Sequence, residues 1–257
     1  MPADQPSSQL PDSGLLAPVS RRNGKRHLRG LVHKDWDRHV RHADELSRTQ
    51  GFQKLRDAIL ERAAPGAQDR VIDVGTGTGL LALPLAGRCA DVWAIDISAA
   101  MVEHLRWLVA GRQLANVYPL VASATSLPLE DSSVDLVVSN YCFHHLKEPE
   151  KHRSLAEAFR VLAPGGRLVF GDMMFGWRPG DGRNRRVVSS KVRSMARHGP
   201  AGFARIARNA AKVLTGTGEH PAPPEWWRGA LEDAGFSDVR VECLAHEGAI
   251  AVARKPG

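Results

Sequence analysis

The chain has little cysteine. Its 257 residues hold only Cys89, Cys142 and Cys243, far apart and with no C-x-x-C pair. An odd, scattered set supports neither a disulfide framework nor a cysteine-built structural metal site, so no metal is expected. Long apolar runs are missing too. Nowhere do eighteen apolar residues follow one another, and a helical membrane span needs about that many. The opening M-P-A-D-Q-P-S-S-Q-L has no basic-then-apolar leader pattern, and cytoplasmic residence is the expectation. No internal repeat is visible. The length suits one large α/β domain with an appendage.

Negative charge is scarce in two places. The chain carries a net charge of +7. Between Arg178 and Lys212 lie eight Arg and two Lys against one acid, Asp181, a net of +9 that leaves the remainder at −2. Arg21–Arg41 is a second basic stretch, with Asp35 and Asp37 as its only acids. Two basic segments thus flank a nearly neutral core. Such a distribution can attract an anionic partner.

A glycine is also missing where one common motif needs it. The stretch V-I-D-V-G-T-G-T-G (Val71–Gly79) reads as a strand, a tight turn and a following helix that opens at Gly79 or Leu80. Gly75, Gly77 and Gly79 permit positive φ and close backbone approach to a ligand. The dinucleotide fingerprint is G-x-G-x-x-G, and Leu80 stands at its third glycine. A nicotinamide cofactor is therefore disfavoured. Asp73, two residues before the turn, suits a cationic ligand better than a diphosphate. Asp96 ends a second apolar run, Val92–Asp96, where an acid can hold ribose hydroxyls. A ligand with a ribose, an amino-acid end and no phosphate fits both carboxylates. S-adenosylmethionine is such a ligand.

With those motifs in place the chain resembles class I S-adenosylmethionine-dependent methyltransferases, nearest the quinone-biosynthesis and small-molecule group. The resemblance covers roughly Gly51–Asp172. It rests on V-I-D-V-G-T-G-T-G, V-W-A-I-D-I-S, V-D-L-V-V-S-N leading into Y-C-F-H-H-L, and V-L-A-P-G-G-R-L-V-F-G-D. It implies a Rossmann-like doubly wound α/β sheet of seven strands with the last antiparallel, N-terminal helices and a helical lid insertion. It further implies S-adenosyl-L-methionine as cofactor and S-adenosyl-L-homocysteine as product. Met101 stands where the family packs a Met near adenine. An acid expected before the L-P of the third-strand loop is replaced by Ser123, whose hydroxyl is the weaker substitute. The implied cofactor-binding set is Asp73, Gly75, Thr76, Gly77, Gly79, Asp96, Ile97, Met101, Ser123, Ala124 and Asn140.

Taken in order, residues 1–20 read as a disordered tail and 21–50 as a basic helical segment. Residues 51–177 form the cofactor-binding core, 178–224 a basic helical lid with a Gly/Pro linker, and 225–257 a helix and hairpin that complete the sheet. Within the core, helices are expected at Gly51–Ala63, Leu80–Cys89 and Ala99–Gln113, the last capped by Ser98. Strands are expected at Arg70–Val74, Val92–Asp96, Val117–Ala122, Val134–Ser139 and Arg167–Gly171. Alternating strands and helices imply a parallel sheet covered on both faces.

Methyl transfer needs a base only if the acceptor must lose a proton first. His144, His145 and His246 are the candidates, since imidazole titrates near neutral pH; Glu247 neighbours the last. Each histidine has a plainer reading as a packed or backbone-bonded side chain. The acceptor reads as a small organic molecule: a quinol, a lipid or a secondary metabolite. The simplest reading of the basic lid is a solvated face; a second is contact with a membrane surface. The loop Ser139-Asn140-Tyr141-Cys142 is not the N-P-P-Y type of amino-directed nucleic-acid enzymes, which disfavours RNA or DNA. An RNA methyltransferase, a non-catalytic cofactor-binding scaffold and homodimerisation stay open.

Overall fold

The computed structural model describes residues 36–175, 219–244 and 248–257, with single positions at 182, 185, 189, 192, 193 and 199. The expected tail, residues 21–35 of the basic segment and nearly all of the lid lie outside those residues. His246 and Glu247 also lie outside them.

A 3-10 turn (Trp36–His39) leads into α1 (Val40–Ser47) and α2 (Gln50–Ala63). Then follow β1 (Arg70–Val74), α3 (Ala82–Leu85), β2 (Asp91–Asp96), α4 (Ala99–Gly111), β3 (Val117–Val121) and β4 (Val134–Asn140). A second 3-10 turn (Phe143–His145) precedes α5 (Glu148–Val161) and β5 (Leu162–Met173). The chain closes with α6 (Pro224–Asp233), β6 (Ser237–Cys243) and β7 (Gly248–Arg254). The seven strands form one sheet in the order β3-β2-β1-β4-β5-β7-β6. The first five are parallel, and β7 runs antiparallel to both its neighbours. This is the mixed seven-stranded sheet that the motif order implies.

Side chains alternate across the strands and build a core on each face. Ile72, Trp93, Val137 and Phe170 face α5 and α6, where Trp227 is fully buried. Val71, Val92, Leu136 and Val169 face α2 and α4, against Ile59 and Leu105. Helix α2 buries Leu55, Ile59, Leu60 and Ala63, one stripe at helical spacing. It lies so close to β5 that a Cβ on Gly171 would stand 2.7 Å from Ile59.

Helix boundaries follow local chemistry. Ser98 caps α4 by accepting the Met101 N–H, as its position predicts. Glu150 accepts the Lys147 N–H at 2.8 Å to start α5, with a proline in the first turn. Gly235, at φ +94°, stops α6.

Two elements differ from expectation. The helix expected over Leu80–Cys89 spans only Ala82–Leu85. Its first residues remain in the turn that carries the glycine loop, and Gly87, a weak helix former, follows its end. Strand β5 begins at Leu162, which pairs with Val134, and runs to Met173. Pro164-Gly165-Gly166, expected between helix and strand, is instead an irregularity within that strand. A shift of register against β4 accommodates it, with Gly165 at φ +77°.

Candidate active site

The carboxyl ends of β1, β2, β4 and β5 lie side by side, and the site sits on that edge. Gly75, Gly77 and Gly79 all have positive φ, at +71°, +54° and +88°. The loop is stitched to β2: the Gly75 and Thr76 N–H groups donate to the Ile95 carbonyl at 2.8 and 2.9 Å. The Gly77 N–H donates to Asp96 Oδ2 at 2.9 Å, and the Ser98 N–H to Asp96 Oδ1 at 2.9 Å. Asp96 is half-buried and so keeps an open side. A Cβ at Gly77 would meet nothing within 4 Å, whereas one at Gly75 would collide with the Cys142 side chain. The loop is thus open on one side and pressed against the β4 loop on the other.

Asp73 is a different case. It is 1% exposed, its Oδ2 accepts the Thr76 hydroxyl at 2.7 Å, and the Ala82 backbone N–H also bonds to it. Burial pushes its pKa up to about 7, with Thr76 and Ala82 pulling it down and Asp96 adding repulsion. Asp73 therefore braces the loop from beneath. A positive charge above the loop would ease its ionisation, which is the sense expected of a cationic ligand.

The remaining expected cofactor residues flank this loop. Ile97 is half-buried beside Asp96, and Met101 is buried in α4. The Ser123 hydroxyl is engaged within its own turn, 2.8 Å from the Thr125 hydroxyl and 3.1 Å from its N–H. Ala124 packs against the core. Asn140 ends β4 with its Oδ1 buried and lacking a partner among the described residues. A buried acceptor without a donor costs free energy, and a ligand ammonium or hydroxyl would satisfy it. Open loop, ribose-type acid and orphaned acceptor together fit S-adenosylmethionine.

Past Asn140 the chain turns sharply. Tyr141 takes a left-handed φ of +51°, a costly conformation for a bulky residue. Its ring packs at 5.1 Å on Phe52 of α2 and at 5.9 Å, edge-on, against His144. Met173 and Phe175, at the end of β5, add an apolar patch beside Tyr141. His144 is buried. Its Nδ1 lies 2.5 Å from Asp172 Oδ1, and its backbone N–H donates to Asp172 Oδ2 at 3.0 Å. The His145 ring lies 3.8 Å from the His144 ring, tilted 49° to it, and Trp36 covers it edge-on at 4.5 Å. The N-terminal segment thereby reaches over the site. Cys142 is packed against Gly75, and burial drives its thiol pKa well up, the state of an inert packing residue.

Four participants were not expected from sequence. Asp172 was signalled by its place at a strand end, the same logic that exposes Asp96. Glu219 brings its carboxylate to the two histidines. Lys151, 2% exposed, donates to the Leu146 and His220 carbonyls at 2.5 and 2.6 Å and so straps the 219–220 segment down. Trp36 had only its helical spacing to recommend it.

Comparison with known proteins follows the same line. A family model described as a methyltransferase domain matches residues 71–166. An uncharacterized methyltransferase of Oceanobacillus iheyensis is 35% identical over 119 residues, 46% of this chain and 54% of that protein. A demethylmenaquinone methyltransferase of Clavibacter sepedonicus is 39% identical over 117 residues, 46% of each chain. The chain spans about half the length of the curated relatives it matches. The crystal structure of a SAM-dependent methyltransferase from Aquifex aeolicus superposes with a TM-score of 0.59 at 22% identity, covering 84% of this chain and 97% of that one. That likeness concerns the fold. Residues 71–166 thus match a methyltransferase domain, and their glycine loop, strand-end acids and sheet order are those of the class I S-adenosylmethionine-dependent kind.

Proposed function

We propose that this chain transfers a methyl group from S-adenosylmethionine to a small, largely apolar organic acceptor such as a quinol, a lipid or a secondary metabolite. One observation carries the acceptor reading. The buried His144–Asp172 pair lies beside Tyr141, which packs with Met173 and Phe175 into an apolar patch, on the same sheet edge as the glycine loop.

The cofactor supplies a methyl already activated on a sulfonium, so the chain's main contributions are position and dryness. Gly75–Gly79 and Asp96 hold the nucleoside, Asp96 through the ribose hydroxyls. Asn140 Oδ1 accepts from the amino-acid end. Phe52, Tyr141, Met173 and Phe175 exclude water and grip the acceptor's apolar body. Asp172 fixes the His144 ring through Nδ1, which leaves Nε2 as the nitrogen that handles an ionisable hydrogen of the acceptor. His145, with Trp36 over it, shapes the mouth. His246 keeps its standing as a candidate from sequence alone.

The test is incubation of the purified chain with methyl-labelled S-adenosylmethionine and a fractionated cell extract. Label is expected in the organic-soluble small-molecule fraction. Label confined to RNA, or none in any fraction while the cofactor analogue binds, would contradict the acceptor class. Those outcomes correspond to the RNA enzyme and the non-catalytic scaffold respectively.

A further inference from the structure

The acceptor end of the site gathers three metal-ligand side chains, only one of which, His144, has a proton-transfer role in the proposed reaction. One ligand atom each from His144, His145 and Glu219 lie within 4.8 Å of one another. We propose that these three side chains bind one divalent transition-metal ion, zinc foremost, beside the acceptor.

The donor set comes first. Two imidazole nitrogens and one carboxylate oxygen are a set that zinc uses in catalytic sites, where a further position stays open for water or substrate. Imidazole favours such ions over magnesium or calcium, which prefer oxygen. Burial grades across the cluster, with His144 buried, His145 half-buried and Glu219 exposed, so the open side of an ion would face the mouth of the site. Metal–ligand bonds of about 2.1 Å put two ligands of one ion at most about 4.2 Å apart. Ligand atoms already within 4.8 Å of one another need only a small closing movement to meet that limit.

The surroundings are also those of a ligand set. A metal-binding histidine typically gives its other ring N–H to a carboxylate, which fixes its tautomer and raises its basicity. Asp172, itself fully buried, does this to His144 Nδ1. Glu219 is not on a loose strand either. The His220 N–H donates to the His144 carbonyl at 2.6 Å, and Lys151 Nζ donates to the His220 carbonyl. A buried lysine is thus committed to holding the segment that carries Glu219 against the turn that carries both histidines. The two rings, 3.8 Å apart, would repel if both were protonated and are reconciled by one shared cation.

Binding of the ion stands on this geometry alone. Its purpose rests on the methyl-transfer reading. An acceptor hydroxyl on the open position becomes more acidic, its O–H bond breaks with the proton passing to water, and the oxygen is left to take the methyl. With the ion on His144 the metal, and not the imidazole, activates the acceptor; the proton-accepting role of His144 Nε2 belongs to the chain without metal.

The full chain, stripped with chelator, is titrated with Zn²⁺ against a chromophoric indicator and with Co²⁺ by visible absorption. One ion per chain and the intense bands of low-coordinate Co²⁺ are expected. Glu219→Gln and His145→Gln should each weaken binding at least tenfold, with melting temperatures close to the parent's. His152→Gln, whose ring packs on Trp226 outside the cluster, should change nothing. Glu219→Gln alters only an exposed side chain and carries the test alone if the histidine variant misfolds. No stoichiometric uptake, or equal affinity in parent and Glu219→Gln, overturns the proposal. S-adenosylhomocysteine is titrated into the same samples. Metal uptake without analogue binding keeps the ion site and removes the methyl-transfer reading, and the converse does the reverse.

Discussion

At the scale of single residues the site divides into groups that touch a ligand and groups that shape what does. In the proposed function Asp96 is of the first kind. Its half-buried carboxylate ends β2 and already aligns the Gly77 N–H. Asp96→Ala should weaken S-adenosylhomocysteine binding by about 1–3 kcal/mol through loss of the ribose hydrogen bonds, read by calorimetry. Unchanged affinity would remove the ribose assignment. Asp73 is of the second kind. With its pKa raised to about 7, the folded chain retains, between about pH 4 and 7, a proton that the unfolded chain has released. This group's contribution to stability therefore falls as pH rises through that window, and its full cost, at most about 4 kcal/mol, is present above it. Asp73→Asn should melt higher relative to the parent at pH 8 than at pH 5. A difference that is flat across that range would mean the carboxylate is ionised throughout. These residues were legible to different depths. The glycines and Asp96 could be read because a positive φ and a strand-end acid are local demands. Asp73 was read as suiting a cationic ligand; its burial and its bonds to Thr76 and Ala82 arise from the folded loop and are not visible in the local sequence. The partnership of Asp172 with His144 spans 28 positions. It exists only because β5 lies beside β4, so no local pattern announces it.

At the scale of elements, the strap formed by α5 and the segment at Glu219–His220 matters most. Lys151, its pKa pushed down to about 8 by burial, ties the Leu146 and His220 carbonyls together. Lys151→Met leaves both carbonyls short of a donor. It should cost about 1–3 kcal/mol, partly offset by removal of a desolvated charge. Hydrogen exchange at the His220 amide should quicken relative to the core strands. Exchange unchanged at His220 would show that the segment is held by other contacts. Element types were mostly readable from apolar period and capping residues, as Ser98 and Gly235 illustrate. The helix after the glycine loop was overextended, since its apolar spacing continues through residues that the loop and Gly87 keep non-helical. Strand β5 was cut short because Pro164-Gly165-Gly166 carries the chemistry of a break, while pairing with β4 absorbs it as a change of register. The basic lid, the strongest charge feature of the sequence, lies outside the described residues, and its reading as a solvated or membrane-facing surface remains an expectation.

At the scale of the whole molecule, two apolar layers clamp one seven-stranded sheet, and the residues proposed to face a ligand stand on its carboxyl edge or on a segment folded over it. The sheet order was legible through the order of motifs. No residue pattern alone dictates that β7 inserts antiparallel between β5 and β6. The turn at Trp36–His39 reaches His145 through Trp36, a contact no spacing rule supplies. The central claim is that this edge binds S-adenosylmethionine and not a dinucleotide. Calorimetric titration of the full chain with S-adenosylhomocysteine, with NAD as control, tests it most directly. One-to-one micromolar-range binding of the first and none of the second is the predicted result. Absence of S-adenosylhomocysteine binding, or comparable binding of NAD, would contradict it.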